Sequence, residues 1–306
     1  MSNVSRIVIV TKPTRLEELE QQHLTEGAAK FVLESRGQSI EPYRQEDAAY
    51  KAALAEVQRQ IPNDLSFARV QREDLPSFLF RDKDLIVVCG PDGLFVNLAK
   101  YVDDQPVLTV NPDPSTIAGV LMRFSPEEVR DKIAEVQSGR HHIEHLPFVR
   151  AMIDNERVIW GINDIFIGRK DHVSARYQMS FGERVEHQSS SGVIVSTGVG
   201  STGWMRSVAA MVSGLTSNRR SNKLSSLPDP TSNELVFVVR EPFPSPTTGT
   251  SLVTGRVVPG QPLVVSSEMP DGGYIFSDGV IERGLEWNAG SEVVISVGDR
   301  YVQRVI

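Results

Sequence analysis

Near residue 145 the spacing of apolar residues changes, and that change restricts the chain to two architectures in succession. Before it, short continuous apolar runs alternate with longer amphipathic stretches. Residues 7–10 (IVIV), 85–89 (LIVVC) and 106–110 (PVLTV) read as buried strands. Residues 16–33, 48–60 and 94–101 read as helices, with a break in the first expected at Gly27. Continuous apolar strands between helices argue for a parallel sheet covered on both faces. Ser125-Pro126-Glu127-Glu128 carries a capping Ser, a Pro at the first helical position and a Glu that completes a capping box, so a helix starts there and ends near Gly139. After residue 145 strand follows strand: 148–153, 158–160, 165–168, 193–196, 235–240, 263–266, 274–276, 293–297 and 301–305, with one helix at 204–212. Such spacing predicts a β-sandwich or a related layered sheet. With 306 residues, more than one compact core is expected. The fold class is therefore α/β plus all-β. A Rossmann-like domain is expected over 1–124, a β-rich domain over 125–290, and C-terminal strands over 291–306.

The formal charge of −7 comes without a basic stripe, which excludes a phosphate-backbone reader and hence a nucleic-acid partner. The single cysteine, Cys89, lies inside an apolar run and reads as buried core. Residues 1–6 lack a signal-peptide core, and no apolar run approaches the roughly 20 residues of a membrane helix. The expectation is a cytoplasmic protein with no membrane partner. Residues 213–233 are polar, include Arg219-Arg220, and read as a loop.

Five motifs bear on chemistry. Gly90-Pro91-Asp92-Gly93 follows a buried strand and precedes a helix. In an open parallel sheet ligands bind at the carboxyl ends of strands, and glycines there let backbone N–H groups approach phosphates. A carboxylate at such a turn repels phosphates unless it holds a metal or takes a proton from an attacking hydroxyl; the plain alternative is a Pro-Asp-Gly turn. Ser196-Thr197-Gly198-Val199-Gly200-Ser201-Thr202-Gly203-Trp204 spells G-x-G-x-x-G between a strand and a helix. Residues 215–227 lack the acidic residue a dinucleotide fingerprint requires. The turn still suits close approach of a ligand to the backbone, with hydroxyls to bind it and Trp204 to stack on a base. Asn163-Asp164, between apolar pairs, is either an internal turn or a recognition pair for a sugar diol or adenine edge. Asp278-Gly279 alone is a hairpin turn. His141-His142-Ile143-Glu144-His145 matches H-x-x-E-H, but it lies between Gly139 and Pro147 rather than on a helix, so it reads as a linker and no metal ligands are assigned.

Taken in order, these motifs resemble the NAD kinase family, which carries a GGDG-type turn, an Asn-Glu pair, a Ser/Thr-rich turn and a late Asp-Gly. The matches are Gly90–Gly93, Asn163-Asp164, Thr197–Trp204 and Asp278-Gly279. The stretch Lys12-Pro13-Thr14-Arg15 also looks like the start of some divergent members. The resemblance implies ATP and NAD as partners, Mg²⁺ with the ATP, a homo-oligomer (a homodimer), a site between two domains, and a C-terminus that returns to the first domain. It implies Asp92 as the catalytic residue acting on the 2′-hydroxyl of the adenosine ribose. Gly90 and Gly93 would meet phosphates, with Lys12 and Arg15 neutralising them or standing in a solvated loop. Asn163, Asp164, Thr197, Gly200, Ser201, Thr202, Trp204 and Asp278 would hold NAD. The chain departs from the family at Pro91 (Gly), Leu94 (Thr), Asp164 (Glu), Trp204 (Tyr) and Ser191, which stands for an acid. Position 94 bears on the donor and position 191 on the acceptor. Three other readings remain: a kinase of this fold acting on a lipid or sugar hydroxyl, a non-enzymatic NAD or NADP sensor, and a dehydrogenase built around Gly198.

Overall fold

A computed structural model of the chain describes residues 4–216 and 226–306. The loop read at 213–233 therefore lies partly outside the described residues. The chain divides into two compact units, Met1–Glu144 with Val302–Ile306, and His145–Tyr301.

The first unit is built on parallel strands β1 (Arg6–Thr11), β2 (Ser66–Gln71), β3 (Asp84–Cys89) and β4 (Pro106–Val110), in the order β2-β1-β3-β4. Gln303 and Arg304, near the C-terminus, pair in parallel with Pro106 and Val107. Every residue of β3 is buried, as its unbroken apolar run predicts for a strand covered on both faces. Helices α1 (Arg15–His23), α2 (Glu26–Ser35), α3 (Glu41–Gln60), α4 (Asp92–Leu98) and α5 (Val129–Gln137) complete the unit. On one face Ile7, Ile9, Leu85, Val87 and Cys89 pack with Tyr50, Leu54 and Val57 of α3 and with Ile133 and Val136 of α5. Helix α5 thus belongs to this core, and the units divide after Glu144, later than the boundary at 124 read from the sequence. The capping box at Ser125 and Glu128 is formed. The break expected at Gly27 falls earlier. Leu24 takes a left-handed φ of 67° and ends α1, Thr25 caps α2, and Gly27 sits inside α2.

The second unit is a β-sandwich. One layer is a six-stranded antiparallel sheet in the order β12-β11-β10-β7-β14-β15. Its strands are β7 (Asp164–Arg169), β10 (Val193–Ser196), β11 (Leu235–Val239), β12 (Thr254–Val257), β14 (Gly273–Ser277) and β15 (Val280–Glu286). The other layer holds the antiparallel strands β8 (Ala175–Phe181), β9 (Arg184–Ser190), β13 (Leu263–Ser267) and β16 (Glu292–Val305). The pair β5 (Ile143–Ile153) and β6 (Arg157–Gly161) joins them. Ile165, Ile167, Val193, Val195 and Phe237 from the first layer meet Tyr177, Met179, Leu263, Val265 and Ile295 from the second, alternate residues as a half-buried strand requires. The two strands read at 293–297 and 301–305 are one long strand, because no Pro or tight turn interrupts them. Helix α6 (Trp204–Leu215) covers the outer face of the six-stranded sheet through Met205 and Val208 on Phe166, Ile194, Val236 and Val238.

Candidate active site

In the first unit the chain leaves β1 toward β2 and returns across it to β3, so the strand order reverses between β1 and β3. Open α/β sheets bind ligands at such a switch point, outside the carboxyl ends of the strands. The segment after β1 is Lys12–Arg15, and the segment after β3 is Gly90–Gly93. A cavity of about 300 Å³ opens there, lined among others by Lys12, Thr14, Arg15, Tyr50, Pro91 and Asp113. Both phosphate-binding segments expected from the sequence therefore flank one switch point.

Their side chains are not equally available. Arg15 is paired with Glu46 and stacks on Tyr43 at 4.9 Å, and the hydrogen bond to Glu46 raises its pKa. The ammonium of Lys12 has no ion pair among the described residues. Thr14 caps α1, receives the Glu17 N–H, and donates to Asp47 at 2.7 Å. The Tyr50 hydroxyl donates to the Cys89 carbonyl (2.9 Å) and accepts from the Lys12 N–H (3.3 Å), tying β1 to β3 at the switch. Burial pushes the Tyr50 phenol above its ordinary range and the Cys89 thiol up to about 12, so both stay protonated and structural.

Asp92 is the first residue of α4. Its Oδ2 accepts from the Val120 N–H and its Oδ1 from the Leu121 N–H, each at 3.0 Å. A loop from β4 to α5 thus clamps the carboxylate. The loop is itself fixed: Thr109 Oγ1 donates to the Leu121 carbonyl (2.9 Å), Asn111 Nδ2 donates to the Ile117 carbonyl (3.0 Å), and Gly119 takes φ 52° where a Cβ would strike Asn111. Each carboxylate oxygen keeps a lone pair for a further donor. Gly93 has nothing near the place of a Cβ, so its backbone is open. Leu94, where the resemblance expects a hydroxyl, is buried and lies against Gly90, and its side chain offers no donor.

The second unit gathers the other motifs into one knot. The pair Asn163-Asp164 straddles a boundary: residues 162 and 163 form the turn between β6 and β7, and Asp164 opens β7. Asp278 and Gly279, with φ of 51° and 73°, make the hairpin turn between β14 and β15, as the pair predicts. The Asp278 carboxylate also accepts from three successive amides: Ile162 at 3.2 Å, Asn163 at 2.7 Å and Asp164 at 3.2 Å. Thr197 Oγ1 donates to the Ile162 carbonyl, and the Gly200 N–H donates back to Thr197 Oγ1 at 3.2 Å. Ser201 and Thr202 donate to carbonyls one helical turn back, Thr197 at 3.3 Å and Val199 at 3.0 Å. A Cβ on Gly200 would stand 2.1 Å from the Asn163 carbonyl oxygen, and one on Gly198 1.8 Å from that of Asp229. These glycines are dictated by the protein's own backbone, a cause the sequence attributes to a ligand. Trp204 stacks on Phe166 (5.8 Å, 20°) with the Arg240 guanidinium 5.5 Å from its ring.

Sequence reasoning missed two residues. Ser191 donates to the carboxylate of Glu241, fifty positions on, so a carboxylate lies beside position 191. Arg304, almost wholly buried, pairs with Glu144 and donates to the Leu121 carbonyl. Neither has a local motif. The H-x-x-E-H stretch runs into β5, and its Glu144 is taken by Arg304 and Arg123. Burial opposes ionisation of Glu144, and the two guanidinium partners outweigh it, holding its carboxyl below the ordinary range. Among the described residues no cluster of three His, Cys, Asp or Glu side chains forms a metal cage. Among them, too, no helix is long and apolar enough to cross a membrane.

No family model matches the chain. It is 27% identical to an NAD kinase of Bacteroides fragilis over 165 residues, 51% of this chain and 55% of that protein. It is 32% identical to an NAD kinase of Magnetococcus marinus over 139 residues, 42% of this chain and 45% of that protein. The matched region thus spans about half the length of the curated relatives. Two solved structures share its fold: yeast NADH kinase complexed with NADH (TM-score 0.64, 14% identity, 99% of this chain and 84% of that one) and an NAD kinase from Archaeoglobus fulgidus in complex with ATP (TM-score 0.59, 15% identity, 99% and 93%). The chain is thus similar in sequence to NAD kinases over about half its length, and it shares the fold of these two solved structures.

Proposed function

We propose that the chain transfers the γ-phosphoryl group of ATP to the 2′-hydroxyl of the adenosine ribose of NAD, giving ADP and NADP. The observation that carries this reading is the position of Asp92, between Gly90 and an open Gly93 at the β1/β3 switch point. The ribose oxygen forms the new bond to the γ-phosphorus, the bond from that phosphorus to the ADP oxygen breaks, and the hydroxyl proton passes to the Asp92 carboxylate. The transferred group has a loose transition state, so the protein contributes positioning and charge neutralisation. Lys12, without an ion pair among the described residues, supplies positive charge at the cavity. Arg15, held by Glu46, supplies less.

The donor set fits a metal that arrives with ATP. Mg²⁺ takes one or two carboxylates together with phosphate oxygens and water, and Asp92 offers such an oxygen. When bound, the ion neutralises charge on the phosphates. Asn163, Asp164, Thr202 and Trp204 are proposed to hold NAD, and Asp278 to act by fixing the 162–164 backbone. A homo-oligomeric state and a cytoplasmic location belong to the same proposal and rest on the resemblance.

The test is NADP formation from ATP, Mg²⁺ and NAD by the purified chain, with and without Asp92→Asn. Loss of a general base lowers turnover roughly 10²- to 10⁴-fold. A wild-type chain that binds NAD and releases no NADP would instead support the sensor reading, and an Asp92→Asn variant at wild-type rate would leave Asp92 a turn residue.

A further inference from the structure

Arg304 is the third-last residue of the sequence and is 1% exposed. A fully buried guanidinium needs partners for its charge and its donors. Glu144 supplies the charge, accepting from Nε at 3.1 Å and from Nη2. Nη1 points elsewhere, to the Leu121 carbonyl at 3.3 Å. That carbonyl also accepts from Thr109 Oγ1 at 2.9 Å. The N–H of the same residue donates to Asp92 Oδ1 at 3.0 Å. Leu121 is therefore held at its carbonyl by Arg304 and Thr109, and with its amide it holds Asp92. All these residues lie in the first unit.

We infer that Arg304 is a positioning residue for phosphoryl transfer: with Glu144 it fixes the 119–121 loop, whose amides set the Asp92 carboxylate. This rests on the reading of Asp92 as the group that takes the ribose proton. A general base acts only when its oxygen stands within hydrogen-bond reach of the proton it removes, so a small shift of the loop changes turnover more than substrate binding. A purely structural Arg304 would contribute stability and leave the amides of 120 and 121 indifferent to its identity.

The pair Arg6–Asp84 offers a matched control. It too joins an arginine (Nε to Oδ1, 2.9 Å) to a carboxylate buried in the same unit, and it makes no bond to the 119–121 loop. Arg304→Lys keeps the charge beside Glu144 and removes the planar donor aimed at Leu121. Arg6→Lys weakens its own pair in the same way.

Two readouts on the full chain decide the matter: amide hydrogen exchange at Val120 and Leu121 without nucleotide, and steady-state kinetics with ATP, Mg²⁺ and NAD. Arg304→Lys is expected to accelerate exchange at both amides and lower kcat on the order of tenfold, with the KM for NAD within about twofold. Arg6→Lys is expected to lower the melting temperature and change neither. Thr109→Val, which removes the second bond to the Leu121 carbonyl within a nearly unchanged shape, is expected to act as Arg304→Lys does, more weakly, and serves if the lysine variant does not fold. Exchange at 120 and 121 that is equal in Arg304→Lys, Thr109→Val and wild type overturns the inference. Should the wild-type chain release no NADP, the kinase reading falls, and the exchange measurement still decides whether Arg304 holds the loop that clamps Asp92.

Discussion

The two glycine-rich turns follow strands and precede helices alike, yet their glycines answer different demands. Gly93 in the first unit has open space where a side chain would stand. Gly198 and Gly200 in the second are pressed against carbonyl oxygens of Asp229 and Asn163. The first glycine leaves room for something outside the chain, whereas the other two let three backbone segments of the chain pass one another. Similar motif spelling therefore hides an open turn in one unit and a structural knot in the other.

The sharpest way to break this contrast is to add one methyl group to each turn. Gly198→Ala drives a Cβ to 1.8 Å from a backbone oxygen, which cannot swing aside as a side chain does. The expected cost is at or above the upper end for overpacking, about 3 kcal/mol. Gly93→Ala is expected to stay within about 0.5 kcal/mol of wild type, since it meets nothing and lies in the first turn of α4. It should nevertheless slow phosphoryl transfer if phosphates approach that backbone. Denaturant midpoints for both variants, with NADP formation for the second, make the comparison. Equal midpoints would abolish the distinction between the turns.

What was legible in the sequence follows the same division. Strands β1, β3, β4, β10 and β11 were visible because their buried residues run without interruption. Strand β2 was not: only Val70 is buried in SFARVQ, so an edge strand carries no apolar signal. The hairpin β8–β9 was missed for a related reason, since RVEHQSS turns mostly polar side chains outward. The break at Leu24 escaped notice because a leucine at positive φ contradicts its intrinsic preference, and the better candidate, Gly27, stood nearby. At the site, the Asp92 turn could be read locally. The partners that give each residue its task lie far along the chain, as with Asp278 and the amides of 162–164 or Arg304 and Leu121. Local pattern says which residues suit a turn, and only the folded chain says which backbone they hold.

Asp278 sharpens the comparison by a smaller step. Its carboxylate accepts from three amides, and its own φ is 51°. Asp278→Ala removes the acceptors and leaves a residue poorly suited to that φ, whereas Asp278→Gly removes the acceptors and relieves the backbone. Leaving buried donors unmade costs about 1–3 kcal/mol. Both variants should therefore be destabilised in thermal denaturation, the alanine variant more. If the alanine variant melts with wild type, the amide cluster contributes nothing to the knot.

The smallest expected effect concerns Trp204, which stands where the structural knot ends and a ligand-facing surface would begin. Its indole stacks on Phe166 at an interplanar angle of 20°, and Phe166 in turn meets Phe276 at 5.0 Å. It is partly buried, on the first turn of α6 beside the core residues Met205 and Val208. Trp204→Phe preserves an aromatic ring for Phe166 and for the guanidinium of Arg240, which lies over both rings. Because the pair is kept, the stability change should stay below the roughly 0.5–1.5 kcal/mol that an aromatic pair contributes beyond its area. If an exposed part of the indole meets the adenine or nicotinamide ring, the same variant should weaken NAD binding a few-fold, and NAD should quench the emission that wild type has and the variant lacks. Trp287 is fully buried and Trp160 packs on Phe148, so the difference spectrum isolates Trp204. A few-fold loss of affinity with quenching would make Trp204 a residue of both worlds, its ring shared between core and ligand. Unchanged affinity and emission, with the melting temperature lowered, would place Trp204 wholly within the knot and move the ligand-facing boundary to Thr202.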